Sequence, residues 1–224
     1  MRKMMSSRNI AYTEKYQKQK EGFNYLFHEE FLADSNEHIF SDSRWRVICK
    51  DYVDKVAPLA LNGKAIEVYN NKNKLIFEQK CYDDRQFLSY ILHANGMEYL
   101  FFGLDLYGYS IFNLTTRTAY HYVPEDVLVG GGETFIWTNV VYSETDKIAV
   151  EGCFWACNHE FEIYDFSEPE KLPYKRLIKH EDLEPEYNNW LKPIGWTTSD
   201  EYAYDEQIEV KEHVYEMVRK MVKF

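Results

Sequence analysis

The sequence predicts an all-β fold in which about four similar antiparallel units follow a helical N-terminal extension. Short runs of β-branched and aromatic residues recur from residue 36 onward, and clusters of turn-forming residues bound each run. Aromatic residues make up 17% of the chain, with 19 Tyr and 14 Phe. This share favours half-buried strands, because a Tyr ring packs against its neighbours while its hydroxyl stays hydrated.

The first 35 residues differ from the rest and form the predicted extension. Apolar residues recur there at roughly helical spacing among Lys, Glu and Gln, namely Ile10, Tyr16, Phe23, Leu26, Phe27 and Phe31. The spacing predicts a helical segment, residues 1–35, that packs one apolar stripe on a β domain spanning residues 36–224.

The strands of this domain are predicted from apolar runs and the turns between them. They are Arg44–Tyr52, Ala65–Tyr69, Leu75–Gln79, Phe87–His93, Tyr99–Leu104, Tyr109–Leu114, Thr118–Val123, Phe135–Tyr142, Ile148–Val150, Phe161–Phe166 and Gln207–Val210. Residues 212–224 fit a helix about as well as a strand, and both assignments stay open.

Comparison of the chain with itself predicts a repeat. Around Val68, Ile111 and Ile163 the chain reads as an alternating strand that ends in Asn or Asp, and the segment around Val210 resembles them more faintly. These four positions are separated by 43, 52 and 47 residues. Periods of about 40–50 residues with four strands each are typical of β-propeller blades, which bury their faces against neighbouring blades. The sequence therefore predicts propeller-like repeats that close into a small ring or remain an open arc.

Two stretches carry a resemblance to known proteins. The run Tyr109-Ser-Ile-Phe-Asn-Leu-Thr-Thr-Arg-Thr-Ala-Tyr resembles the third and fourth strands of a WD40-like or related propeller blade. The segments that begin at Phe135 (FIWT), Val150 (VEGCFWAC) and Ile163 (IYDFSEP) resemble a group of small uncharacterised bacterial proteins with propeller-like repeats. The resemblance covers at most residues 36–224. It implies a blade architecture and specifies no substrate or activity.

The charge balance restricts the classes of partner. The chain has 37 acidic and 26 basic residues and a formal net charge of −11 at pH 7. We therefore expect no nucleic-acid partner, whereas an acidic surface suits a basic protein. No secretory signal and no apolar run of about 18 residues is visible, so we expect a cytoplasmic protein without membrane contact.

A possible metal motif comprises Cys153, Cys157 and His159. A structural zinc site needs four ligands, and an extended chain would hold the two sulfurs about 13 Å apart, too far to share one ion. We predict free thiols, no metal and no cofactor. Glu160 and Glu162 alternate with apolar residues, which predicts that both lie on a solvated strand face.

The predicted binding residues are Trp137, Asn139, Glu151, Trp155 and His159. They lie on or beside strands that would face the central channel of a propeller, where ligands and peptides gather. For both Trp residues the competing role is core packing, because large aromatic side chains are mostly buried.

The absence of known catalytic motifs shapes the functional prediction. The sequence has no Gly-x-Ser-x-Gly elbow and no His-Glu-x-x-His motif. It predicts a non-enzymatic module that binds a protein partner. The alternatives are a hydrolase or lyase with a channel-lining His and carboxylates, and a self-associating structural protein in which two open arcs form a homodimer.

Overall fold

A computed structural model describes residues 8–56, 61–82, 87–129, 134–154, 159–179 and 191–224. The described chain is all-β apart from one α-helix and short 3-10 turns, and its strands form four antiparallel sheets in chain order. Sheet A contains β1 (Leu32–Phe40), β2 (Trp45–Asp54), β3 (Leu61–Asn70) and β4 (Leu75–Tyr82). Sheet B contains β5 (Leu88–Leu92), β6 (Glu98–Leu104), β7 (Gly108–Asn113) and β8 (Thr118–Tyr122). Sheet C contains β9 (Ile136–Tyr142), β10 (Lys147–Cys153), β11 (His159–Asp165) and β12 (Arg176–Lys179), and sheet D contains β13 (Leu191–Thr198), β14 (Glu201–Lys211) and β15 (Val214–Lys223).

The four sheets pack in the order A, B, C, D. One buried apolar cluster joins A to B, an aromatic-rich cluster joins B to C, and a third joins C to D. Among the described residues, no buried apolar cluster joins D back to A. Sheets B and C therefore have a neighbour on each side, and β6 and β7 are buried along their whole length.

The N-terminal segment is less helical than predicted. It contains α1 (Glu14–Glu21) and two 3-10 turns, Asn24–Phe27 and Glu29–Phe31, and β1 begins at Leu32, before the predicted boundary at residue 35. Within the described ranges, no helix is long and apolar enough to cross a membrane.

The N-terminal segment does bury apolar side chains, as its spacing predicts. Ile10, Ala11 and Tyr16 pack beside Leu104 of β6 and Val123. Farther along, Leu26 packs on the outward face of sheet A against Tyr52 and Ala65. Gly63 allows this contact, because a Cβ there would lie 2.8 Å from a methyl carbon of Leu26.

Three strands escaped the sequence prediction. β1 is polar and almost fully exposed, β12 has four residues, and β13 contains Pro193 and Gly195, which usually mark turns. Residues 212–224, left open between helix and strand, contain the whole of β15.

The predicted repeat agrees with the sheets in three of its four positions. Val68, Ile111 and Ile163 all lie on the third strand of their sheets, β3, β7 and β11. Val210 lies on β14, the second strand of sheet D. The faint fourth segment is therefore out of step with the others, and sheet D has three strands in the described chain.

Candidate functional site

A solvent-facing carboxylate lies where sheets C and D meet. Glu151 of β10 is paired across the sheet with Asn139 of β9. The Asn139 amide Nδ2 donates a hydrogen bond to Glu151 Oε2 at 3.3 Å, and the Tyr202 hydroxyl of β14 donates to Oε1 at 3.5 Å. Burial raises the pKa of Tyr202 above its usual 10, so this hydroxyl remains a donor at neutral pH.

The donors to Glu151 are both neutral. No Lys or Arg of the described chain lies within ion-pair distance of its carboxylate, although other carboxylates of sheets C and D have such partners. Glu151 is half-buried and Asn139 is exposed. The arrangement can therefore accept a charged hydrogen-bond donor from outside the chain.

A bulge separates Trp137 from this carboxylate. In β9 the pairing with β10 shifts at Thr138, so Glu151 faces Asn139 while Gly152 faces Trp137. Side chains alternate along a regular strand, and the extra residue reverses this alternation. Trp137 consequently points toward sheet B, where its ring stacks on Tyr109 at a centroid distance of 4.2 Å, and it is 7% exposed. The bulge also brings the chains close, because a Cβ at Gly152 would lie 2.1 Å from the Ile136 carbonyl oxygen.

The remaining predicted residues are not all placed. His159 begins β11 opposite Cys153 and is exposed, on the same side of sheet C as Phe161, which packs against sheet D. Trp155 and Cys157 lie outside the described residues. The structure thus brings Asn139 and Glu151 together, and Trp137 serves the core.

Two cysteines of the described chain, Cys49 and Cys81, are not reactive thiols. Cys49 and Cys81 are buried and free, and burial raises the pKa of Cys49 to about 11 and that of Cys81 to about 12. Both thiols are therefore protonated at neutral pH. Among the described residues, no group of three His, Cys, Asp or Glu side chains is arranged to hold a metal ion.

The prediction that Glu162 lies on a solvated face is wrong. Glu162 is 1% exposed, because its side of sheet C is covered by sheet B. Arg176 Nη1 of β12 donates to Glu162 Oε1 at 2.6 Å, and the Tyr164 hydroxyl also donates to this carboxylate. Burial raises the pKa of Glu162, and the two donors oppose that rise. Sequence alternation could not show this, since it does not tell whether the second face of a sheet is covered.

A cavity beneath α1 was not predicted from any sequence pattern. It measures about 400 Å³ and lies between α1, β4 of sheet A and β8 of sheet B. Its walls include Tyr12, Tyr16, Lys20 and His121. The Tyr16 hydroxyl donates to the buried carboxylate of Asp105, and Lys20 Nζ lies 3.6 Å from the same group. These contacts attach the N-terminal segment to the turn between β6 and β7.

Ser110 and His121 form a pair that resembles a nucleophile and its base. Ser110 Oγ lies 2.8 Å from His121 Nδ1. Ser110 is 0% exposed, however, so a substrate has no access to its oxygen. Burial lowers the pKa of His121 from 6.5 to about 4, which keeps the imidazole neutral at pH 7. We assign the pair to the structure of sheet B.

The lowered pKa of His121 predicts a specific pH dependence. The unfolded chain protonates this imidazole near pH 6.5 and the folded chain only near pH 4. The free energy of unfolding should therefore fall as the pH decreases from about 6.5 to about 4. In His121→Gln this part of the pH dependence should disappear, as measured by urea denaturation at pH 7, 6 and 5. An unchanged slope in the variant would contradict the assignment, and NMR titration of His121 gives an independent reading.

Comparison with known proteins places the chain near one viral protein. It is 26% identical over 203 residues to "Uncharacterized protein R762" of Acanthamoeba polyphaga mimivirus, and the alignment covers 87% of this chain and 77% of the relative. No family model matches the chain. The WD40-like resemblance therefore stays a prediction, and this viral relative lends no support to the bacterial group.

Proposed function

We propose that this chain is a non-enzymatic module that binds a protein partner, and that the partner places a Lys or Arg side chain against Glu151. The observation that carries the proposal is the half-buried carboxylate of Glu151, which has neutral donors on each oxygen and no cation within ion-pair distance in the described residues. The exposed Asn139 beside it offers a further polar contact.

The charge of the whole chain supports a basic partner. A net charge of −11 attracts cationic proteins over a distance of about a Debye length, and it disfavours nucleic acid. At the junction itself, a partly desolvated carboxylate forms a stronger hydrogen bond with an ammonium or guanidinium than with a neutral donor. Long-range charge would guide the encounter, and Glu151 would hold the bound partner.

We further propose that sheets A to D are blades of an open propeller-like arc. Three features support this: each sheet is an antiparallel meander, the sheets follow one another in chain order, and the repeated segments occupy the third strand of A, B and C. Small-angle X-ray scattering would distinguish the arc from a closed ring by its maximum dimension. In an arc, Glu151 lies at the junction of the last two units.

The proposal predicts that Glu151→Gln weakens the binding of the partner. A charge-assisted hydrogen bond contributes about 1.5–3 kcal/mol, so the Kd should rise by roughly ten-fold or more. Asn139→Ala should have a smaller effect, because this residue donates a neutral hydrogen bond. The measurement is affinity capture from native extract, followed by titration of the captured protein at low and at high salt.

A matched control separates the site from general loss of charge. Glu168→Gln makes the same charge change at an exposed residue that is paired with Lys171, and it should leave the Kd unchanged. If Glu151→Gln and Glu168→Gln weaken binding equally, the partner responds to overall charge and the proposed site is wrong.

The hydrolase or lyase alternative remains a prediction. Its test is turnover in a broad substrate screen, together with metal analysis of the purified protein.

A further inference from the structure

The last hairpin of the chain extends beyond the sheet that supports it. β14 and β15 have 11 and 10 residues, and Tyr202, Tyr204 and Val222 at their base pack on sheet C. From Glu209 to Met217 the hairpin is exposed on both faces. Two-stranded hairpins without further packing are marginally stable in water.

Apolar side chains are concentrated on this exposed arm. Val210, Val214, Tyr215 and Met217 are 40–53% exposed, and Met221 nearer the base is 55% exposed. The outer edge of β15 is also open, because among the described residues β15 pairs with β14 alone. An open edge presents unpaired backbone N–H and C=O groups that can add another strand.

We propose that β15 pairs with β15 of a second copy, in antiparallel orientation about a two-fold axis at Val218. In this register Glu216 lies opposite the partner's Lys220, and Val214 lies opposite the partner's Val222. On the other face Tyr215 lies opposite the partner's Met221, and Met217 opposite the partner's Arg219. Cross-strand neighbours of these kinds stabilise antiparallel pairs.

The order of charges along β15 selects this register. A two-fold axis perpendicular to the sheet keeps each side chain on its own face of the sheet. Residues that lie opposite each other must share a face, so the axis has to pass through a residue of β15. The alternative registers are therefore those with the axis at a different residue. An axis at Arg219 or at Lys220 would place that cation opposite its own copy. With the axis at Met217, Glu216 would lie opposite the partner's Val218, and no opposite charges of β15 would face each other. Only the axis at Val218 pairs opposite charges and opposes no like charges, so the strand is complementary to itself.

This pairing would also stabilise the exposed distal part of the β14–β15 hairpin in both copies. The exposed distal half of one β15 would lie beside the proximal half of the other, which is anchored on sheet C through Val222. The two three-stranded sheets would become one six-stranded sheet. Sheets A, B and C each contain four strands, whereas sheet D contains three in the described chain. The second copy would supply the fourth strand of sheet D.

The proposal is tested by the molecular mass of the protein in solution, measured at roughly 100 μM. We expect twice the monomer mass of 26.9 kDa by sedimentation equilibrium. Glu216→Lys places two Lys residues opposite each other at both ends of the interface, and it should raise the dimer Kd on the order of ten-fold or more. Glu212→Lys makes the same charge change in the turn of the hairpin and should leave the dimer intact. A monomeric parent chain overturns the proposal.

A cysteine at the two-fold axis tests the register. Directly opposite residues in an antiparallel pair have Cα atoms about 4.5–5.5 Å apart, within the range for a disulfide. Val218→Cys should therefore give a covalent dimer on mild oxidation. Met221→Cys should not, because its two copies would lie about 20 Å apart by strand rise. Cross-linking of Met221→Cys, or none of Val218→Cys, overturns the register.

The interface does not include Glu151, and it stands independently of the proposed partner site. Glu216→Lys should lower the mass in solution toward that of the monomer and preserve capture of the protein partner. Glu151→Gln should weaken capture of the partner and leave the dimer intact. The two proposals can therefore fail separately.

Discussion

Phe101→Ala is expected to lower the free energy of unfolding by about 3–5 kcal/mol, since it deletes a fully buried ring at the junction of sheets B and C. Phe101 is 0% exposed. Its ring centroid lies 5.6–5.9 Å from those of Phe87, Tyr109, Trp137, Phe166 and Tyr174. These neighbours come from strands of both sheets and from the segments beside those strands, so the site cannot collapse without moving a whole sheet.

Urea denaturation followed by far-UV circular dichroism measures this loss. Phe101→Leu keeps much of the volume and should cost less, about 1–2 kcal/mol. A loss below about 1 kcal/mol for Phe101→Ala would show that sheets B and C do not depend on this aromatic cluster. The stacked arrangement of the sheets would then be in doubt.

Arg176→Met is expected to cost about 3 kcal/mol at pH 7, because it removes the guanidinium that donates a hydrogen bond to the buried carboxylate of Glu162. Arg176 is partly exposed, so water can replace part of its interaction with Glu162. The expected cost therefore lies at the lower end of the about 3–5 kcal/mol that is typical for breaking a buried ion pair. Burial already raises the pKa of Glu162, and loss of the guanidinium should raise it further. The folded variant would then take up a proton more readily than the unfolded chain, so its defect should shrink as the pH falls toward 5.

The double variant Glu162→Gln/Arg176→Met is the control for this pair. A neutral amide needs no cation and can still accept the hydrogen bond from the Tyr164 hydroxyl, so the double variant should be more stable at pH 7 than Arg176→Met. A defect in Arg176→Met that is the same at pH 5 and pH 7 would contradict the account of Glu162.

The part of the fold that the sequence predicts well is the set of alternating strands between regular turns. β2 to β11 were located from β-branched and aromatic runs, because turn residues such as Asn95-Gly96 interrupt the chain between them. β1 was missed since it has almost no buried face, and apolar periodicity therefore carries no signal there. β13 was missed because Pro193 and Gly195 usually mark turns. Both residues fit within this strand because its pairing with β14 shifts register between them.

The candidate site was predicted in part. Asn139 and Glu151 were chosen together and are neighbours in the sheet. Trp137 was predicted either to bind beside them or to pack in the core, and the bulge at Thr138, which turns it toward sheet B, could not be deduced from residue types. Glu162 was misplaced because alternation identifies a second face without showing what covers it. Its partner Arg176 is 14 residues away, on a strand that was not predicted.

The most direct test of the account is a photo-cross-linking amino acid placed at position 139, beside Glu151. In native extract we expect one discrete adduct with a protein that carries Lys or Arg at the cross-linked segment, and Glu151→Gln in the same chain should abolish it. The same amino acid at the exposed Asn71, in the turn between β3 and β4, should give no such adduct. Equal adducts at positions 139 and 71, or an adduct that persists in Glu151→Gln, would contradict the proposed binding site.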